Sequence, residues 1–170
     1  KYIDFEGITF TNADHAAVFI NEDCDNVGFY GCQFTNSAVS GDAVLDIAGP
    51  YINFITIEGC VIDGGNQASG TVIGIFASDV TNLRIVNNFV QDCRSIGIKL
   101  AGCDNADVFH NSVLMNPDTP DTDTACLKLF MNTPNVNVFN NIFSNLSDGA
   151  NHTVLRFDDA SDINYASDGN

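Results

Sequence analysis

The chain has few cations: six lysine and arginine residues stand against 22 aspartates and glutamates, which gives a formal net charge of −16. Such a balance argues against a nucleic-acid binder, whose affinity rests on a basic surface. It fits a secreted protein, a calcium binder or a protein from a salty habitat, and we expect an extracellular or cell-surface location.

Several familiar sequence signals are also missing. No apolar run approaches the roughly 20 residues that a membrane-spanning helix needs. There is no initiator methionine and no signal peptide, so Lys1 is interpreted as a processed or trimmed start. The six cysteines lack zinc-ligand spacing, and no Ser–His–Asp pattern, P-loop or dinucleotide glycine motif is present. No segment keeps a helical period for ten residues, which leaves an all-β chain.

What the chain does contain is a pair of repeated phrases. Both alternate apolar residues with others, which is typical of half-buried strands, and Gly, Asn, Asp and Ser separate the copies. The first phrase occupies residues 3–10, 27–34, 55–62, 83–90, 106–113, 136–143 and 163–170. The second occupies residues 17–20, 44–47, 73–76, 97–100, 127–130 and 155–157. The repeats predict a solenoid of about six coils, each supplying a strand to each of three parallel sheets.

The first phrase ends in a turn that reads apolar–x–apolar–x–Asn–Asn–x–apolar. It is clear at Asn87–Asn88 and Asn140–Asn141 and looser at His110–Asn111. With this turn the chain resembles the right-handed parallel β-helix of the pectate-lyase-like superfamily. That superfamily includes polysaccharide lyases, glycoside hydrolases, epimerases, tailspikes and adhesins, so the resemblance is more specific for fold than for function. We expect one domain over residues 1–170, as part of a longer β-helix or as an assembling protomer.

The second position of this turn forms one column along the stack. The resemblance implies that Asn88, Asn111 and Asn141 form an internal asparagine ladder. Cys32 and Cys60 fall in the same column in adjacent coils. Their spacing permits a disulfide, but strands rarely present the required torsion, so stacked free thiols are predicted.

The outward residues of the second phrase place cations in consecutive coils. Their column is predicted to read Phe19, Asp46, Gly74, Lys99, Lys128, Arg156, with three of the six basic residues of the chain. Since adjacent cations repel one another, the column indicates an anion site, such as one for the carboxylate or sulfate of an acidic polysaccharide. Resemblance to lyases of the chondroitinase B and alginate lyase type implies a catalytic set of Lys99, Lys128 and Arg156. Either lysine would be the base, and the arginine would neutralise the uronate. The alternative is local pairing of these cations with Asp46, Asp158 or the loop 116–124.

Other side chains near this column complete the predicted site. Phe76 and Phe130 either stack on sugar rings or lie under a loop, and Asp46 and His152 are further candidates for substrate contact. In the loop 116–124, Asp118, Asp121 and Asp123 are candidate Ca²⁺ ligands, although their spacing matches no EF-hand.

The outward residues of the first phrase predict an exposed apolar stripe of Val86, Phe109 and Phe139. A loop, another domain or another copy of the chain would cover it, the last by lateral or end-to-end self-association. Beside the stripe, Arg84 is predicted to pair with Asp107. Two function classes therefore stay open. One is a secreted protein that binds or cleaves an acidic polysaccharide by lyase-type β-elimination. The other is a non-catalytic structural, adhesive or filament-forming β-helix.

Overall fold

The strands of the computed structural model follow the alternating phrases of the sequence. The structure describes residues 2–36, 43–65, 72–118, 120–148 and 151–158, with the main chain of 165–168. The predicted domain limits, residues 1 and 170, lie outside these segments. Every regular element in the described segments is a strand, and none of them contains a helix long or apolar enough to cross a membrane.

The strands form three faces of a solenoid. The first face comprises β1 (Ile3–Glu6), β4 (Asp25–Tyr30), β11 (Asp104–Phe109), β14 (Val136–Phe139) and β17 (Tyr165–Asp168). The second comprises β3 (Val18–Ile20), β10 (Ile96–Ala101), β13 (Thr124–Phe130) and β16 (His152–Phe157). Two long strands, β6 (Ala43–Glu58) and β8 (Ile73–Val86), run from the second face to the first. The third comprises β2 (Thr9–Thr11), β5 (Gln33–Thr35), β7 (Val61–Asp63), β9 (Phe89–Gln91), β12 (Ser112–Met115) and β15 (Ile142–Asn145).

Among the described segments, hydrogen bonds join these faces into two parallel sheets rather than the predicted three. The long strands β6 and β8 link the first and second faces into an 11-stranded sheet. The third face is a separate 6-stranded sheet, and its successive pairings correspond to about five turns of the chain. The all-β parallel solenoid is therefore confirmed, with slightly different numbers of coils and sheets.

The register of the first face agrees with the repeat alignment over most of the stack. Val27 pairs with Ile55, Ile55 with Leu83, and Leu83 with Ala106. At its end, Tyr165 rather than Ile163 pairs with Val136, so the last strand of this face is shifted by two residues from the predicted register. A shift of two residues preserves the alternation of faces, which is why the pattern alone does not exclude it.

A second two-residue shift occurs at the start of β8. The alignment placed Gly74 between Asp46 and Lys99, but Phe76 occupies that position. Gly74 instead faces the core, where a Cβ atom would lie 2.7 Å from Val90 Cγ1. Because the buried Ile75 follows it directly, two successive residues face inward and the strict alternation breaks.

The turn between the first and third faces needs a left-handed residue in every coil. Asn87, His110 and Asn140 have φ angles of 56°, 53° and 51°, and Gly7, Gly31 and Gly59 occupy the same position in the earlier coils. Glycine and asparagine are the residues that adopt this conformation most readily, and histidine is also enriched there. The first residue of the repeated turn is thus explained by backbone geometry.

The second residue of the turn forms the predicted ladder. The side-chain amide of Asn141 donates to the main-chain oxygen of Val108 at 2.8 Å, and its Oδ1 accepts from the main-chain N–H of Asn111 at 2.8 Å. Asn111 makes the equivalent pair of bonds to Ile85 and Asn88. Each buried turn therefore satisfies the polar groups of the one before it.

Cysteines continue this ladder in the earlier coils. The thiol of Cys60 donates to the oxygen of Phe29 at 3.5 Å, and that of Cys32 donates to the oxygen of Phe5 at 3.3 Å. These acceptors correspond in position to those of the asparagine amides. Burial raises the pKa of the Cys60 thiol to about 11, so it keeps the proton that it donates. All six cysteines are free thiols, as predicted for Cys32 and Cys60.

The ladder predicts a large difference between buried and exposed asparagines. Replacing Asn111 with alanine leaves the Ile85 oxygen and the Asn88 N–H without partners, so we expect a loss of about 2 kcal/mol or more in the free energy of unfolding. Asn36→Ala is the control, because Asn36 makes an exposed side-chain bond to Asn12. Denaturant unfolding measures both, and equal losses would contradict the role assigned to the ladder.

Candidate functional site

Three neighbouring strands of the second face bring the predicted cations together. Lys99 of β10 pairs in register with Lys128 of β13, and Lys128 pairs with Arg156 of β16. Adjacent strands lie about 4.8 Å apart, so the three side chains emerge side by side on the outer surface. The predicted column of Lys99, Lys128 and Arg156 is present in the structure.

Two of the three cations are paired with carboxylates. Lys128 Nζ lies 2.7 Å from Asp158 Oδ2, and Arg156 Nε donates to Asp158 Oδ1 at 2.9 Å. The Arg156 guanidinium also contacts Asp123 Oδ1. The hydrogen bond from Lys128, followed by that from Arg156, lowers the pKa of Asp158 below its ordinary value. Local ion pairing, the alternative weighed from the sequence, therefore accounts for Lys128 and Arg156.

Lys99 has a different environment. Its ammonium lies 4.8 Å from the ring centroid of Phe76 and 5.7 Å from that of Phe130. Within the described segments, no carboxylate lies within ion-pairing distance of it. Cation–π contacts of this kind stabilise an ammonium only modestly when it is partly exposed. Lys99 is thus a half-buried cation held between two aromatic rings.

The surroundings of Lys99 make its ammonium easier to deprotonate than that of an exposed lysine. Partial burial, followed by repulsion from the neighbouring Lys128, lowers the pKa of Lys99 below the ordinary lysine value. Its base form is therefore more accessible than that of an ordinary surface lysine.

Asp46 and His152, the other residues predicted to contact a substrate, lie on different strands of the second face. Asp46 lies in the same column on the far side of Phe76. His152 begins β16, where its Nδ1 is 2.8 Å from Thr124 Oγ1 and its Nε2 is 2.7 Å from the oxygen of Asp148. Because protein groups contact both ring nitrogens, His152 has an evident structural role, and its contact with a substrate stays a prediction.

The candidate calcium ligands are engaged in other contacts. Asp123 contacts Arg156, and the Asp121 carboxylate accepts a hydrogen bond from the N–H of Thr122 at 2.8 Å. Asp118 acts on a different carboxyl: burial, followed by repulsion from Asp63 and then from Asp118, raises the pKa of Asp92 above its ordinary value. Among the described residues, no group of three or more His, Cys, Asp or Glu side chains is arranged to hold a metal ion. Calcium binding by Asp118, Asp121 and Asp123 stays a prediction.

The apolar stripe on the first face is less exposed than expected. Val86 is only 6% exposed, so the prediction that it is accessible is wrong. It lies in register between Glu58 and Phe109, and larger neighbours on both sides cover a small side chain at this spacing. Phe109 and Phe139 are half-buried, with their ring centroids 5.5 Å apart. Self-association through these residues stays a prediction.

A surface that the sequence reasoning missed lies elsewhere on the first face. A groove of about 630 Å³ is bordered by Phe54, Arg84 and Asp107, among other residues. Arg84 and Asp107 pair in register as expected, but the guanidinium of Arg84 approaches Glu58 at 4.0 Å instead of Asp107. Asp107 accepts a hydrogen bond from the Asn137 amide at 2.9 Å. The signal in the sequence was Phe54, an aromatic residue at a corner where other coils have asparagine.

Comparison with known proteins supports the fold. A family model described as the right-handed β-helix region matches residues 1–158. No curated protein matches the chain. The match agrees with the parallel solenoid and supplies a right-handed sense for its coils.

Lys128 is paired with Asp158 and Lys99 is not, so the two lysines should differ in how strongly each is coupled to Asp158 in the free energy of unfolding. A double-mutant cycle of Lys128→Met and Asp158→Asn should give a coupling of about 1 kcal/mol, because the pair is short and partly shielded from solvent. The matched cycle of Lys99→Met with Asp158→Asn should give a coupling close to zero. Denaturant unfolding measures both cycles, and an equal coupling for Lys99 would contradict the pairing described.

Proposed function

This chain belongs to the right-handed β-helix family, and from that premise we propose that its second face binds an acidic polysaccharide through Lys99. The observation that carries the proposal is the placement of this ammonium between Phe76 and Phe130 without a carboxylate partner in the described segments. The chain has only six basic residues and a net charge of −16. Because no carboxylate of the described segments balances its charge, the Lys99 ammonium is suited to bind an anionic group of a ligand.

The surroundings of Lys99 favour a uronate over a small inorganic anion. A uronic acid carries a carboxylate on an apolar-faced sugar ring, so it matches an ammonium flanked by aromatic side chains. Lys128 and Arg156 are largely neutralised by Asp158 and Asp123. They are expected to shape the edge of the site rather than to bind a second free carboxylate.

The finer form of the proposal is lyase-type β-elimination with Lys99 as the base. Its neutral amine would take the proton from C5 of a uronate, next to the carboxylate that stabilises the developing charge. The electron pair then forms the C4–C5 double bond as the C4–O bond breaks. The leaving oxygen takes a proton from water. The lowered pKa of Lys99 supports the base role for it, and Lys128 is already engaged in an ion pair with Asp158.

The first test is binding and cleavage across acidic polymers. We expect the protein to be retained by pectate, alginate or chondroitin in affinity gel electrophoresis, and Lys99→Met to weaken retention by about tenfold, or roughly 1.4 kcal/mol. Arg94→Gln is the control, since it removes one cation outside the outward column. Ultraviolet absorbance of unsaturated uronate, with and without Ca²⁺, reports cleavage and any calcium requirement.

The two levels of the proposal have separate outcomes. Retention without absorbance would support binding and exclude elimination on those polymers. A protein that none of the polymers retains or reacts with would favour the non-catalytic structural or adhesive alternative. Equal weakening by Arg94→Gln would indicate a general charge effect rather than a site at Lys99.

The pH dependence separates the two roles of Lys99. Since its pKa is lowered, the ammonium loses its proton below the usual lysine value of about 10.4. Retention of a carboxylate polymer should therefore weaken as the pH rises through that lowered pKa, whereas elimination should accelerate over the same range. Rates are corrected for spontaneous elimination without protein. Retention that depends on Lys99 yet persists unchanged above about pH 10.4 would contradict the proposal.

A further inference from the structure

The first face carries a second concave surface, well away from Lys99. Its larger part has a volume of about 630 Å³, within the usual range for ligand sites. A smaller part of about 370 Å³ continues towards Tyr2 and Tyr30. Phe54 and Thr56 border both parts, which therefore adjoin at these residues and together cross several coils. We call the two parts together the groove.

Phe54 has an unusual backbone conformation. It occupies the corner that precedes the first-face strand, where Asn26, Asn82, Asn105 and Asn135 stand in four other coils. All five have φ angles between 54° and 60°. Asparagine tolerates this left-handed region, but a bulky aromatic residue there is strained. Such strain is concentrated at functional positions, and here it places an aromatic ring at the centre of the groove.

The ring of Phe54 has aromatic neighbours along the groove. Phe54 is 53% exposed and Tyr2 is 82% exposed. Tyr30 lies across Gly28, where a Cβ atom would collide with its ring. The absent side chain lets this ring lie along the surface of the sheet. Exposed aromatic faces in a groove suit a ligand that has apolar faces and polar edges.

Polar side chains supply the other half of the groove. Four polar residues follow one another in register, one from each coil, and we call them the polar column: Thr56, Arg84, Asp107 and Asn137. Their spacing of about 4.8 Å is close to the length of one hexose unit. A linear glycan lying along the stack would therefore present its hydroxyl groups to successive coils. The bond from Asn137 fixes the orientation of the Asp107 carboxylate.

The charges select the kind of glycan. Asp4 and Asp107 line the groove together with a single cation, Arg84, and the guanidinium of Arg84 already lies 4.0 Å from Glu58. A polyanion would meet net repulsion, whereas hydroxyl groups find both donors and acceptors. We infer that the groove centred on Phe54 binds an uncharged linear polysaccharide, with the aromatic rings as platforms and the polar column as hydrogen-bonding partners. This inference does not rest on the acidic-glycan site of the second face.

The asparagines at the corresponding corners of other coils suggest the variant that tests the role of Phe54. Phe54→Asn introduces the residue that other coils have at this position, so the fold is kept and the melting temperature rises as the strain is relieved. Soluble β-1,4-glucan, β-1,4-xylan, β-1,4-mannan and α-1,4-glucan are the probes in affinity gel electrophoresis. We expect the unmodified protein to be retained by at least one of them, and Phe54→Asn to weaken that retention by at least about tenfold.

Two matched controls locate the effect. Phe19→Asn removes another aromatic side chain that is 61% exposed, but on the second face, and should leave retention unchanged. Lys99→Met should also leave it unchanged, so this site and the acidic-glycan site fail independently. Arg84→Gln tests the polar column and should weaken retention without replacing an aromatic ring.

Several results would overturn the inference. The first is that none of the four uncharged polymers retains the protein. The second is retention that Phe54→Asn leaves unchanged or that Phe19→Asn weakens equally. The third is that Phe54→Asn alters only the sedimentation of the protein, which would assign the groove to contacts between protein chains.

Discussion

The rest of the structure depends on the hydrogen-bonded ladder inside the turn between the first and third faces. A solenoid buries the polar groups of every turn under the next coil, where water does not reach them. Asn88, Asn111 and Asn141 satisfy these groups in the later coils, and Cys32 and Cys60 donate to equivalent oxygens in the earlier ones. The ladder thereby fixes how each coil stacks on its neighbour.

Because the coils stack in a fixed register, residues that are far apart in the sequence become neighbours on the surface. Lys99, Lys128 and Arg156 are far apart in sequence, yet they occupy one outward column because their strands pair in register. The same stacking aligns Thr56, Arg84, Asp107 and Asn137 on the first face. Each outward face is thus a row of side chains at the strand spacing, which suits linear ligands with a repeating unit.

The two faces differ in how their charges are compensated. On the second face, Asp158 and Asp123 neutralise two cations and leave Lys99 between aromatic rings. On the first face, a single arginine stands among carboxylates, and the strained Phe54 ring occupies the centre of the groove. On our two proposals, the second face binds an anionic sugar and the first an uncharged one, although the same backbone repeat builds both.

The sequence by itself determined the solenoid and the cation column, because alternation and turn residues are local and recur with every coil. The ladder asparagines followed from the family resemblance of the repeated turn. The sequence did not determine the register at Gly74, since a shift of two residues keeps paired strands in phase, and the close packing of Gly74 against Val90, Cys93 and Gly97 exists only in the stacked coils. Nor did it determine which carboxylates neutralise Lys128 and Arg156, or the left-handed conformation of Phe54. Those features depend on the reach of side chains from different coils and on the shape of each corner, which exist only once the coils are stacked.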